Sequence, residues 1–208
     1  MLRDPVARAV SSFWFKKVRG ADTRTFETAM RDGMRYRRNM EACQAAVAAN
    51  HPSAVAGAEG EAASAAFDRL QPFAQREVLD ECFFNRTETV DPESQGGLFS
   101  AHVDKGVYVD QLKRWFGLFD TKQFFVYSLE EYMADEVGTY QRQCDFLGLE
   151  AVGERGFRSA EELKMVLAHK YNTNTEKGPM DPAVLDELAE FYAPYTKELF
   201  GLVGRDLW

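Results

Sequence analysis

Residues 123–129 (QFFVYSL) are the one stretch with the makeup of a β-strand: short, apolar, aromatic and β-branched. A continuous apolar run of this kind suits a strand buried on both faces of a parallel sheet. The other periodic stretches repeat their apolar residues at helical spacing, so the sequence predicts a mostly helical chain with little sheet. With 208 residues, 45% of them hydrophobic and 13% aromatic, it is long and apolar enough for one globular domain with a sizeable core. A net charge of −8 argues against a general nucleic-acid binder, which needs a dominant basic field. An anionic ligand would have to be met by a local basic patch. There is no run of eighteen apolar residues and no readable signal peptide. Three scattered cysteines and three scattered histidines give no zinc spacing, and no metal site is expected.

The N-terminal stretch carries the clearest local signal. Asp4 followed by Pro5 marks a helix start at residue 5, because Asp accepts from a free backbone N–H and Pro brings a preset φ where its missing N–H costs nothing. Val6, Ala9, Val10, Phe13 and Trp14 then line one apolar face, and Arg3, Arg8, Ser11, Ser12, Lys16 and Lys17 the other. An arginine just before the helix and a hydroxyl two turns in, beside unpaired N-terminal donors, make a seat for a phosphate. A capped amphipathic helix with solvated basic residues is the equally weighted reading of this stretch alone.

A second helix is expected from about Thr25 to Ala49, with Phe26, Ala29, Met30, Met34, Met40 and Cys43 inside and its arginines outside. Residues 50–66, rich in Ala, Gly and Ser, read as a surface insertion, and 67–84 return to helical spacing. A polar loop follows at about 85–105. Leu112, Trp115, Phe116 and Phe119 recur at helical spacing and are read mostly as core. Ser128 and Glu131 form a capping box for one helix ending at residues 146–149. Residues 170–182 form a loop with Lys177-Gly178-Pro179, and Asp181-Pro182 starts a last helix with Leu185, Leu188, Phe191 and Tyr192 as its inner stripe.

The run Arg3-Asp4-Pro5-Val6-x-Arg8-Ala9-x-Ser11 resembles the 3′-phosphate motif of sulfotransferases that use 3′-phosphoadenosine 5′-phosphosulfate, in particular the Golgi glycosaminoglycan type, which sulfate chondroitin and heparan chains. The Trp-bearing helix, the strand, the Ser/Glu-capped helix ending Asp-Phe-Leu-Gly-Leu, the Lys-Gly loop and the closing Gly204-Arg205-Asp206-Leu207-Trp208 follow in that family's order. The resemblance implies an α/β, P-loop-type sulfotransferase fold with its first strands missing, mostly helical with a small parallel-sheet remnant. It implies that Arg3 and Ser11 hold the 3′-phosphate of the nucleotide donor, with Lys177 and Gly178 in a loop that closes over it. The family's arginine after Lys-Gly is Pro179 here, so Lys177 stands between a phosphate contact and a solvated loop lysine. It also implies a carbohydrate acceptor and a disulfide between Cys43 and Cys82, for which two buried thiols are the alternative. Asn85-Arg86-Thr87 is a glycosylation sequon that fits a Golgi glycoprotein.

The family's loop for the 5′-phosphosulfate and its catalytic base come before the Arg-Asp-Pro motif, and neither is found in this sequence. The expectation is therefore a partial domain over residues 1–208, whose membrane anchor and nucleotide loop would precede Met1, with catalytic residues unassigned and little activity as written. The contrasting reading is a noncatalytic helical interaction protein on the same scaffold. A nucleotide kinase is weaker, lacking both the phosphate loop and the motif order.

Overall fold

The computed structural model describes residues 1–50, 70, 72–84, 102–153, 156–168 and 177–208. Its chain divides into two compact units, residues 24–105 and the two flanking segments 1–23 and 106–208 taken together.

In the flanking unit, α1 (Pro5–Val18) starts where the Asp-Pro pair predicts, with the Asp4 carboxylate accepting from the Ala7 N–H at 2.7 Å. Ala9, Val10 and Phe13 are buried on its inner face. This helix packs on α8 (Pro182–Val203), whose Val184, Leu188, Phe191, Tyr192 and Leu199 are buried; α4 (Tyr108–Phe116) packs on α8 as well. Gly106, just before α4, is needed for this approach: a Cβ there would sit 2.8 Å from the Tyr192 hydroxyl.

Three expectations are corrected in this unit. Residues 123–129 do not form a ladder. After a 3-10 turn over Thr121–Gln123 the chain runs extended, and its only pairing is a parallel bridge between Ser128 and Leu2. Leu2 N–H donates to the Tyr127 carbonyl at 2.8 Å and Leu129 N–H to the Leu2 carbonyl at 2.7 Å. Strand composition alone cannot make a strand, because a ladder needs a neighbouring segment to pair with, and among the described residues Leu2 is the one residue paired with this stretch. In place of the expected sheet remnant there are two isolated parallel bridges among the described residues, this one and one between Val152 and Phe157.

Secondly, the capping box is present, but the helix it begins is two. Short α5 (Leu129–Ala134) stops at Asp135, whose carboxylate accepts from Gly138 N–H and caps α6 (Glu136–Leu147). Gly148 ends α6 in the left-handed region. Thirdly, Trp115 (52% exposed) and Phe119 (49%) are not core. They lie on an open aromatic face with Phe116 and Phe124. Periodicity reveals that a helix has an apolar face, not that something covers it. The small helix α7 (Ala160–Leu167) packs on α6 and buries Leu163.

In the other unit, α2 (Phe26–Asn50) packs on α3 (Pro72–Phe84). Thr25 accepts from Thr28 N–H at the start of α2, and Phe26, Ala29, Met30 and Met34 are buried as expected. Ala48, Leu70, Ala74, Val78 and Cys82 form a second buried cluster against Met40, Cys43 and Val47. Cys43 and Cys82 are disulfide-bonded, joining α2 to α3. The expectation that all arginines of α2 face outward fails at Arg37, which is 8% exposed. Its guanidinium is retained there by Glu41 at 2.9 Å and Asp104 at 3.2 Å. The insertion expected at 50–66, apart from Asn50, the greater part of the 85–105 loop, and Asn85 itself lie outside the described residues.

Candidate functional site

The N-terminal end of α1 is the place where sequence and geometry meet. Arg3 and Ser11 are both partly buried. Among the described residues the Arg3 guanidinium and the Ser11 hydroxyl make no hydrogen bond or ion pair, with each other or with Lys177. Ser11 stands three residues before Trp14, so the two side chains share a face of the helix about one turn apart.

That face carries the other sequence-derived residues. The Trp14 indole N–H donates to the Met180 sulfur at 3.4 Å, and a Cβ on Gly178 would lie 2.5 Å from the outer edge of the indole. The Lys-Gly loop is thus seated on α1, one turn beyond Ser11, with Lys177 exposed beside it. Cys43 and Cys82 belong to the other unit.

The backbone donors are a different matter. The sequence reading leaves them free for an anion, but the protein's own groups take two of them. Asp4 N–H donates to Glu130 Oε1 at 3.2 Å, and Ala7 N–H to the Asp4 carboxylate at 2.7 Å. Burial pushes the Tyr108 phenol up to about 12, with the nearby Arg8 charge acting in the opposite direction. Glu130 Oε2 is buried with no hydrogen-bond partner among the described residues. Carboxylates of Asp4 and Glu130 thus stand against the start of the helix.

Three of these neighbours carry no role at the site in the sequence reading. Tyr108 opens the Trp-bearing block and Glu130 lies within the capping box, but their approach to the start of α1, across more than a hundred residues, is set by the tertiary structure. Trp14 reads as an apolar-face residue, although its three-residue spacing from Ser11 is a visible signal. Beyond the bridge, the Arg205 side chain donates to both Glu131 oxygens and to the Val126 carbonyl, tying the closing segment to the capping box. Arg205 holds the Glu131 carboxyl below its ordinary range.

No family model matches this chain. Over 144 residues, 66% of this chain and 90% of the relative, it is 25% identical to Carbohydrate sulfotransferase 15 of Nototodarus sloanii. The chain is a distant relative of a carbohydrate sulfotransferase. A mostly helical chain with almost no strand among the described residues is compatible with a sulfotransferase-like fold. No cluster of three or more metal-ligating side chains is found among the described residues, and none of their helices is long and apolar enough to cross a membrane.

Proposed function

We propose that this chain is the 3′-phosphate-binding part of a carbohydrate sulfotransferase, of the glycosaminoglycan type and acting in the Golgi. The donor would be 3′-phosphoadenosine 5′-phosphosulfate and the acceptor a hydroxyl of a sugar chain. The observation that carries this reading is the unengaged guanidinium of Arg3 and hydroxyl of Ser11 on a helix whose next turn seats the Lys177-Gly178 loop. A guanidinium just before the helix and a hydroxyl two turns in, neither bonded among the described residues, fit a phosphate in charge and hydrogen-bonding type. Distant similarity to a carbohydrate sulfotransferase supports the reaction class.

Sulfuryl transfer moves the group in line from the nucleotide to the acceptor oxygen, and the acceptor proton must leave to a base. The nucleotide supplies the activated sulfuryl group. This chain's own residues would fix its ribose end: Arg3 offers a forked, permanently charged donor, Ser11 a hydroxyl, and Lys177 a mobile point charge at the rim. Asp4 and Glu130, whose oxygens take the nearby amides, disfavour an anion placed directly on the helix axis, which leaves the Arg3–Ser11 side as the seat. The carboxylates also set the registry of the helix start. No residue is assigned to proton removal.

Binding of 3′,5′-diphosphoadenosine, measured by calorimetry, tests the site. Arg3→Ala together with Ser11→Ala is expected to weaken it by at least about a hundredfold, since two charge-assisted contacts of about 1.5–3 kcal/mol each are lost. Equal affinity in the variant would remove the assignment.

A further inference from the structure

We infer that Trp14 is a positioning residue for the nucleotide: its indole is the seat that holds the Lys177-Gly178 loop over the Ser11 turn of α1. This inference rests on the site proposed above and goes beyond it by naming what aligns its two halves. Lys177 is exposed and makes no bond of its own among the described residues, so its position over α1 has to come from its neighbours in the chain. Those neighbours grip one side chain. Met180 accepts the indole N–H at 3.4 Å. Gly178 faces the benzenoid edge of the indole, where an added Cβ would fall 2.5 Å from Cη2, 3.1 Å from Cζ3 and 3.3 Å from Cζ2.

Three separate atoms at those separations define a flat wall, and a two-ring side chain cannot swing aside as the tip of a lysine can. The ring itself is held. Phe13, fully buried, meets it edge to face at a centroid separation of 5.1 Å. The glycine is thus required by contact rather than by backbone conformation, because its φ is not in the left-handed region. A side chain at 178 would lift the loop, and Lys177 with it, away from the Ser11 face. Displacing a binding group by about 1 Å in this way costs affinity out of proportion to the contacts removed.

The geometry makes a compensation test available. Gly178→Ala adds the clashing carbon, and Trp14→Phe removes Cη2 and Cζ3, the atoms it would strike. Calorimetric titration with 3′,5′-diphosphoadenosine is done on the wild type, each single variant and the double variant. Gly178→Ala is expected to weaken binding about tenfold. In the Trp14→Phe background the same substitution is expected to change binding less than about twofold, the mark of coupling between touching groups. Thermal unfolding of the four proteins is followed in parallel.

If Gly178→Ala lowers thermal stability while leaving affinity unchanged, Trp14 is a packing residue only and the inference is wrong. If the penalty is the same in the Trp14→Phe background, the wall is not the indole, and the inference is again wrong. Should Gly178→Ala fail to fold, Met180→Leu, which keeps the volume and removes the acceptor, must weaken binding severalfold; unaltered binding overturns the proposal. A wild type that does not bind the nucleotide sinks both the site and the seat. A wild type that binds, loses binding in the Arg3/Ser11 variant and shows no coupling sinks the seat alone.

Discussion

The disulfide between Cys43 and Cys82 allows a stability prediction that can be worked from the chain itself. The two cysteines are 39 residues apart, and both sit on helices that already pack on each other. Closing a loop of that length removes entropy from the unfolded chain by an amount that the loop relation puts at about 4 kcal/mol at room temperature. The folded helices keep their own contacts when the bond is opened, since Ala48, Ala74 and Val78 remain buried between them. Reduction should therefore leave helical circular dichroism in water nearly unchanged and act on the unfolding equilibrium. With a urea slope of about 2 kcal/mol/M, the midpoint for loss of α2 and α3 is expected to fall by about 2 M on reduction. Hydrogen exchange resolved to amides of these helices, with and without reductant, identifies the segment affected. A shift of less than about 0.5 M would refute the reasoning, because it would mean that the reduced, unfolded chain is already held together by other means.

Two further outcomes concern the helix starts. Arg205 holds Glu131 low, so this carboxylate contributes stability above the ordinary range near pH 4, and the contribution is lost as pH falls through the lower folded value. Glu131→Gln should flatten the acid limb of a stability–pH profile, and Ser128→Ala, which removes the other half of the box, should cost about 1 kcal/mol at neutral pH; an unchanged acid limb in the glutamine variant would contradict the pairing. Tyr108 behaves in the opposite sense. Its folded value of about 12 lies above the ordinary one near 10, so its share of stability is complete below pH 10 and is lost as pH rises towards 12. Tyr108→Phe should reduce the alkaline loss and remove a late-titrating phenol from the tyrosinate absorbance curve; the same alkaline slope in the Tyr108→Phe variant would refute this.

What the sequence revealed tracks how local each determinant is. The start of α1 is legible because Asp4, Pro5 and the Ala7 amide lie within one turn. The capping box and the end of α6 at Gly148 are legible for the same reason. The break at Asp135 was hidden because its carboxylate serves equally well as a surface residue of a continuous helix. Arg37 was misplaced because one of its partners, Asp104, is distant in sequence, although Glu41 at one turn's spacing was in plain view. The strand and the aromatic face failed for a common physical reason: composition reports what a segment can bury or pair, and the partner decides whether it does. At the candidate site, Arg3, Ser11, Lys177 and Gly178 came from resemblance. Glu130, which accepts the Asp4 amide, is reachable only through the tertiary structure.

The link between Leu2 and Ser128 has a consequence for biosynthesis. The opening helix leaves the ribosome first, yet the groups that finish its start and cover its inner side are Glu130 and the last long helix, both made much later. Residues 24–105 are contiguous and can close their own disulfide-linked helix pair while synthesis continues. The flanking unit is tied by long-range contacts and must wait for the C-terminal segment, so ends synthesised farthest apart in time are consolidated together.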